Sequence, residues 1–319
     1  MPYKQFDRSQ LIVKPLKERE SDIGQDILLY PGNPLPEFEN PDIDKLAAAI
    51  RKAKDFGASV IMMMGAHVIR SGVNPLLIDL LKKKYITHFA VNGAGAIHDF
   101  ELALAGETTE SVARYISEGQ FGLWEETAYI NDAVAEGVKD GLGFGEAVGK
   151  WICDHEFPFA DTSLFAAAYT QQVPVTVHAG IGCDIVHEHP NCSGAALGQA
   201  SYMDFLIFTQ SVTNLENGVF LNFGSAVTGP EVYLKALSMA RNAAHQKGEK
   251  ISNFTTAVFD LHDIDPGAIN KEPDKAETFY YYRPWKTIMS RTVADGGKSY
   301  YIKGRHAETI SALYRALNR

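Results

Sequence analysis

The chain has 319 residues, of which 45% are hydrophobic and 22% are charged, so it can bury a large core in one or two domains. Its formal net charge is -9 and its longest basic run is Lys82–Lys84, which argues against a nucleic-acid partner. The polar N-terminus lacks an apolar signal segment, no apolar run approaches the ~18 residues of a membrane span, and three cysteines do not form a disulfide framework. We therefore expect a cytoplasmic protein with no membrane partner.

The first 40 residues are rich in proline and charge, as in LLYPGNPLPEFENPD. We interpret residues 1–40 as an N-terminal arm that lies over the surface, or over a partner subunit, without forming a core element. A regular pattern begins after this arm. We expect residues 41–319 to form a single α/β domain.

Apolar periodicity then predicts alternating elements. Residues 42–57 predict an amphipathic helix that ends at a glycine. The apolar run SVIMMMG has the length of a strand, and residues 73–86 predict a helix with Asn74 as its N-cap and Pro75 in its first turn.

The same design repeats in residues 87–106, as a strand (HFAV), a small-residue loop (NGAGA) and a helix (IHDFELALAG). Further strands are predicted at VPVTVHAG, GVFLNFG and FTTAVFDL. Further helices are predicted at residues 125–137, 163–171, 202–213, 231–244 and 308–319, and loops at 265–300. Unbroken apolar strands that alternate with helices predict a Rossmann-like α/β fold, a mostly parallel sheet with helices on both faces.

Unusual residues follow the predicted strands, at the edge where open parallel sheets bind ligands. They are Gly65–His67, Asn92–Gly95, His178–Asp184, Gly224–Ala226, and Asp260 with His262. Small residues let a ligand approach the backbone, and helix N-termini suit phosphate, although tight turns also need glycine. We expect a phosphate-bearing ligand, but not an ordinary Rossmann dehydrogenase, because the GxGxxG fingerprint is absent.

Residues 64–106 resemble the deoxyhypusine synthase superfamily, in which a Gly/Ser-rich strand end precedes a Ser-Gly pair and a glycine loop leads into an Asp-Phe helix. Ser71-Gly72, Gly95 and Asp99-Phe100 carry this resemblance. The block from Asn92 to Glu101 also resembles the NAD-dependent ornithine cyclodeaminase domain of the archaeal and cyanobacterial type. The resemblance implies an NAD-binding enzyme of deoxyhypusine synthase-like fold that acts on an amine or amino acid, often as a homotetramer.

The resemblance also implies which residues contact the cofactor. These are Gly65, Ala66, His67, Ser71, Asn92, Gly93, Ala94, Asp99, Gly224, Ser225 and Asp260. Lys286, after Trp285, is the nearest match to the family's catalytic lysine. The family's spermidine-binding carboxylates have no clear equivalents, so we do not expect deoxyhypusine synthesis itself.

Three residues are catalytic candidates. His98 lies beside the small-residue loop, where a neutral imidazole suits acid–base chemistry, although a backbone carbonyl would also satisfy it. Asp184 belongs to a cluster from His178 to Cys192 that suggests zinc, but its spacing matches no standard motif. Lys286 suits imine formation if it is desolvated, and the alternative is a solvated lysine.

The leading hypothesis is an NAD-dependent transferase or deaminase that oxidises an amine or amino acid to an imine. One alternative is a non-catalytic nucleotide-binding protein that retains only the pocket. Another is a metal-assisted hydrolase that uses the cluster from His178 to Cys192.

Overall fold

The computed structural model describes residues 3–265, 269, 271–276 and 278–319. The strands are β1 (Ser21–Gly24), β2 (Val60–Met64), β3 (His88–Asn92), β4 (Glu107–Glu110), β5 (Val175–His178), β6 (Val219–Phe223), β7 (Thr255–Asp260) and β8 (Lys298–Lys303). The helices are α1 (Pro41–Asp55), α2 (Ala66–Ile69), α3 (Asn74–Lys82), α4 (Gly93–Ala105), α5 (Val112–Glu118), α6 (Tyr129–Lys139), α7 (Phe144–Asp154), α8 (Leu164–Gln171), α9 (Gly194–Thr213), α10 (Thr228–Gln246) and α11 (His306–Leu317). A π-helix spans Trp285–Arg291. Within the described part of the chain, no helix combines the length and apolar composition that a bilayer crossing requires.

The larger sheet has six parallel strands in the order β5-β3-β2-β6-β7-β8. Numbered along the chain, this is the 3-2-1-4-5-6 order of the Rossmann fold. The order reverses between β2 and β6, so the carboxyl ends of these two strands define the crevice where such sheets bind ligands. The predicted fold class is confirmed. Strands β1 and β4 form a separate antiparallel pair.

Both faces of the large sheet are covered, which explains its unbroken apolar strands. All five residues of β2 are buried. Met62 and Met64 pack into the core formed with α1, α3, α4 and α11 on one face. Ile61 and Met63 pack on the other face, against residues of α9, α10 and the π-helix.

Two local predictions were wrong in ways that concern the strand ends. The helix α4 begins at Gly93, directly after β3, so the predicted small-residue loop is the first turn of a helix. The side chain of Asn92 makes this possible, because it accepts a hydrogen bond from the N–H of Gly95 at 3.2 Å. Asn74 is the first helical residue of α3 and not its N-cap, and its amide donates to Asp99 instead.

Several elements escaped the sequence patterns. The helix α9 begins at Gly194, eight residues before the predicted start, and Ser193 caps it. Its Gly- and Ala-rich first turns are not amphipathic, so the apolar periodicity did not predict them. The π-helix lies wholly, and the strand β8 partly, in the segment 265–300 that was predicted to be loops. β8 is an edge strand with an exposed lysine at each end, a composition that protects sheet edges and hides the strand pattern.

The N-terminal segment contributes to the core, contrary to expectation. Leu16 packs with Tyr115 and Trp124 in a small buried cluster. The guanidinium of Arg19 is buried in an ion pair with Glu101 on α4. The segment therefore holds α4 in place as well as covering it.

Candidate functional site

The two loops that follow β2 and β6 meet at the switch point of the sheet. A Cβ added to Gly65 would lie 2.7 Å from the carbonyl oxygen of Gly224. Gly224 has a φ of +61°, and a Cβ there would lie 2.6 Å from Nε2 of His306. Only glycine fits at either position, because the backbones approach each other and His306 covers the second loop.

The outer part of this crevice is open. His67 is exposed after β2, and Ala226 is exposed after β6. The helix α10 has no side-chain cap at its N-terminus, although the Ser225 hydroxyl accepts a hydrogen bond from the N–H of Gly229 at 2.8 Å. The N-terminus of this 19-residue helix, beside small residues, fits a phosphate group.

The end of β3 is closed by a carboxylate of the chain itself. A Cβ on Gly93 would collide with the Asp184 carboxylate, which also accepts a hydrogen bond from the backbone of Ala94. Burial raises the pKa of Asp184, while His187 and the Ala94 N–H lower it. Because a carboxylate occupies the first turn of α4, the structure does not offer Asn92, Gly93 and Ala94 to a phosphate, and their predicted cofactor role loses its support.

Asp99 does not reach the crevice. Its carboxylate is fully buried and accepts hydrogen bonds from Asn74, Ser163 and the N–H of Leu164 at 2.9, 2.5 and 2.8 Å. Burial raises the pKa of Asp99 to about 6, although each of these bonds lowers it. The structure therefore gives Asp99 the role of joining α4 to the start of α8, and not the predicted role in cofactor binding.

Two further predicted cofactor residues are engaged within the chain. The hydroxyl of Ser71 donates to the carbonyl of Val68 at 2.7 Å. Asp260, at the end of β7, accepts a hydrogen bond from the hydroxyl of Tyr282 at 2.5 Å. Burial lowers the pKa of His306, and the nearby carboxylate of Asp260 raises the pKa of His306 by a smaller amount.

Lys286 and His98 lie on opposite faces of the sheet. Lys286 is buried on the π-helix, which packs with α10, and its Nζ lies 3.8 Å from the ring centroid of Tyr280. His98 is on α4, which packs against the other face. The structure therefore does not bring these two catalytic candidates together.

The cluster from His178 to Cys192 does not converge. His178 is buried in the sheet beside Thr176, His189 contacts the carbonyl of Gly122 at 2.7 Å, and Cys183 is exposed. Among the described residues, no three His, Cys, Asp or Glu side chains are arranged to hold a metal ion. The metal-assisted hydrolase hypothesis thus has no geometric support.

A cavity of about 220 Å³ adjoins the crevice, and we call it the His98 cavity. Its polar lining includes Arg70, His98, Thr109, Glu110, Cys183 and Asp184. Its link to the crevice is Arg70, the C-cap of the short helix α2 that follows β2, whose Nη1 lies 3.4 Å from Nε2 of His67. The structure thus brings together two predicted catalytic residues, His98 and Asp184, at one cavity.

The proton positions on His98 follow from its hydrogen bonds. Its Nδ1 lies 2.8 Å from the Thr108 hydroxyl, which lies 2.7 Å from the Glu101 carboxylate. Thr108 has one proton and donates it to the carboxylate, so its oxygen accepts the Nδ1–H of His98. Burial lowers the pKa of His98 to about 4, which leaves a neutral ring whose Nε2 lone pair is not engaged by any described residue and is open to a ligand.

Glu101 is held in its charged form. Its side chain accepts two hydrogen bonds from Arg19, at 2.7 and 3.0 Å, and one from Thr127 at 2.7 Å. Burial by itself raises the pKa of Glu101, but Arg19 and the hydroxyl donors outweigh it and lower the pKa. A negative charge therefore lies permanently behind His98.

Sequence reasoning missed Arg19, Arg70, Glu101 and Thr108. One signal was present, because Glu101 lies three residues after His98 and thus on the same face of the helix. Thr108 and Arg19 come from β4 and from the N-terminal segment, and no local pattern connects them to α4.

Comparison with known proteins identifies relatives of the fold only. No family profile matches the chain, and no curated protein sequence is significantly similar to it. Among solved structures, a conserved protein described as LOR/SDH from Methanococcus maripaludis S2 aligns with a TM-score of 0.51 at 14% identity, over 91% of this chain and 74% of that chain. At this identity the likeness establishes a shared fold.

Two other neighbours bear on the expected resemblance. A mutant of AgrE in complex with L-arginine aligns with a TM-score of 0.51 at 13% identity, over 88% of this chain but only 34% of AgrE. A deoxyhypusine synthase candidate from Entamoeba histolytica aligns with a TM-score of 0.46 at 7% identity, over 86% of each chain. The alignment with AgrE shows that the two chains share the Rossmann-like α/β fold.

Proposed function

We propose that the protein is a nicotinamide-nucleotide-dependent enzyme that oxidises an amine or amino acid to an imine. The observation that carries this proposal is the His98 cavity beside the Rossmann switch point, with a neutral imidazole backed by a buried carboxylate. The AgrE neighbour, solved with L-arginine, supports the substrate class.

The cofactor, NAD in our proposal, would lie at the open part of the crevice. The backbone of Ala66 and His67, the small residues Ser225 and Ala226, and the N-terminus of α10 would hold it. When bound, the nicotinamide supplies a hydride acceptor for the carbon that bears the amine. Because Asp184 closes the start of α4, we assign no phosphate to that turn.

In this proposal, His98 is the general base. An alkylammonium group must lose a proton before its carbon can release hydride, and the free Nε2 of His98 can accept that proton. The imidazolium so formed is stabilised by the Glu101 charge across Thr108, because Glu101 is the strongest factor that raises the pKa of His98. Thr108 and Glu101 are thus positioning residues, and His98 is the catalytic candidate.

Replacement of His98 by alanine is expected to lower turnover by about 10²–10⁴-fold while the fold and NAD binding remain. A thermal-shift screen of nicotinamide cofactors with amines and amino acids would first identify ligands, since a ligand that binds the folded state raises the melting temperature. Turnover would then be followed by the absorbance of the reduced nicotinamide. Replacement of His245, exposed in the last turn of α10, is the matched control. Equal rates for wild type and His98→Ala would refute the proposed role.

A second function, nucleotide binding without catalysis, is favoured by one observation. Lys286, the nearest match to the family's catalytic lysine, lies across the sheet from His98. Saturable NAD binding with no reduction by any amine or amino acid would support this second function over the first.

A further inference from the structure

We infer that Arg70 and Thr109 form an anion subsite in the His98 cavity, so that its ligand carries a carboxylate as well as an amine. This inference rests on the proposed function for the amine, and it narrows the substrate class to amino acids. The sequence analysis assigned a role to neither residue.

Arg70 has a charge that the described residues leave uncompensated. Its Nε is buried, and no residue that the structure describes accepts a hydrogen bond from it. Its Nη1 lies 3.4 Å from Nε2 of His67. Within the described part of the chain, no carboxylate forms an ion pair with Arg70. A half-buried guanidinium with free donors is costly unless an anion binds it, and its planar fork matches a carboxylate.

Thr109 faces the same cavity in a strained conformation. Its φ is +71°, a left-handed value that β-branched residues rarely adopt. Its hydroxyl is buried and has no hydrogen-bond partner among the described residues. Its neighbours in β4, Thr108 and Glu110, are both buried and hydrogen-bonded, so Thr109 differs from them in leaving its hydroxyl unsatisfied at the cavity. Strain together with an unsatisfied hydroxyl is a combination typical of ligand sites.

The lining of the cavity also contains two carboxylates, Glu110 and Asp184. Glu110 accepts hydrogen bonds from the N–H of Gly122 and the indole of Trp124, at 2.9 and 2.8 Å. Asp184 accepts one from the backbone of Ala94. Carboxylate oxygens keep further acceptor capacity after such bonds, so both residues can receive an ammonium group.

This arrangement of charges fits a zwitterion and disfavours a polyamine. An amino acid would place its carboxylate on Arg70 and Thr109 and its ammonium near Asp184, Glu110 and the free Nε2 of His98. A diamine would leave the guanidinium without a counter-ion and bring a second cation towards it, which is unfavourable at low dielectric. The cavity therefore selects for the carboxylate.

Pairs of compounds that differ only by that carboxylate provide the test. Lysine and cadaverine, ornithine and putrescine, and leucine and 3-methylbutylamine would be compared by calorimetry in the presence of NAD. We expect wild type to bind each amino acid at least about tenfold more tightly than its amine, and Arg70→Gln to abolish the difference. Arg114→Gln, which alters an exposed arginine of α5, is the control that should keep it.

Equal affinity for the members of each pair in wild type would overturn the subsite but leave an amine-oxidising function standing. The reverse result, selective binding of amino acids without cofactor reduction, would support the subsite and refute the proposed function. If wild type binds neither the amino acids nor the corresponding amines, the proposed subsite is overturned as well.

Thr109→Gly gives an independent readout. Glycine adopts the left-handed conformation without strain, so we expect the melting temperature to rise while amino-acid affinity falls. A residue that served only the fold would not move these two quantities in opposite directions. A variant that lowers the melting temperature and leaves the affinity unchanged would contradict the inference.

Discussion

Replacing Arg19 by methionine is expected to lower the free energy of unfolding by about 3–5 kcal/mol. The side chains of Arg19 and Glu101 are each 1% exposed, and two hydrogen bonds join them. Methionine would leave the Glu101 carboxylate buried with hydroxyl donors only, and a buried charge without a counter-ion is much more costly than the intact pair is stabilising. Equilibrium unfolding in urea measures the effect as a lower midpoint.

A double variant separates the ion pair from the packing of the side chain. Arg19→Met combined with Glu101→Leu removes both charges, so we expect it to regain much of the stability that Arg19→Met loses. Arg114→Met is the control, because Arg114 pairs with Glu118 on the surface and the urea midpoint should move little. An Arg19→Met midpoint equal to that of wild type would show that Glu101 is compensated in another way.

The parallel sheet was predictable because its strands are continuous apolar runs. Their apolar composition predicts strands at Val60–Met64, Val219–Phe223 and the central residues of β7, and apolar periodicity predicts the helices between them. β8 was not predictable by that rule, because this edge strand has only three consecutive apolar residues, Tyr300–Ile302, and is charged at both ends. The role of a single residue such as Asp99 could not be predicted in this way. An acidic residue near a helix start has the same local sequence pattern whether it faces solvent or, as here, lies in the core and accepts a hydrogen bond from the start of α8.

The candidate site was predictable only at the strand ends. His98 and Asp184 could be found because each follows a strand directly or closely, and the sheet brings such positions to one edge. Thr109 and Glu110 could not, because the pairing of β1 with β4 places them, and neither strand has an apolar pattern. Arg70 could not, because it ends the four-residue helix α2, which is too short to show a periodic pattern. The unsatisfied hydroxyl and the left-handed backbone of Thr109 are tertiary properties that no local pattern encodes.

Asp204→Asn is expected to make the protein more stable than wild type above neutral pH. The Asp204 side chain is 1% exposed on α9, and one of its oxygens accepts hydrogen bonds from the N–H groups of Gly145 and Val177, at 2.9 and 2.6 Å. It thus supplies a partner to the open side of β5, an edge strand of the sheet. Burial raises the pKa of Asp204 from 3.8 to about 7, against the lowering effect of these bonds.

The sign of the pH dependence follows from that raised pKa. The folded protein keeps a proton on Asp204 that the unfolded chain has already released, so wild type loses stability as the pH rises from 3.8 to about 7. The loss is on the order of 4 kcal/mol. Asparagine does not titrate, so the difference in unfolding free energy between the variant and wild type should grow in the variant's favour across this range. Urea unfolding at a series of pH values measures that difference, and parallel stability curves would contradict the prediction.

Asparagine fits this position because the two oxygens of Asp204 differ. Within the described part of the chain, the second oxygen has no well-aligned hydrogen-bond donor, although the Phe144 N–H is close enough to lower the pKa of the carboxyl. The amide nitrogen of asparagine can therefore take the place of this oxygen, and the free-energy cost of the replacement does not change with pH. Asp99→Asn is the matched contrast, because both oxygens of Asp99 accept hydrogen bonds and an amide must turn one N–H towards another donor. We expect that variant to be less stable than wild type throughout the pH range, since a buried donor loses its acceptor.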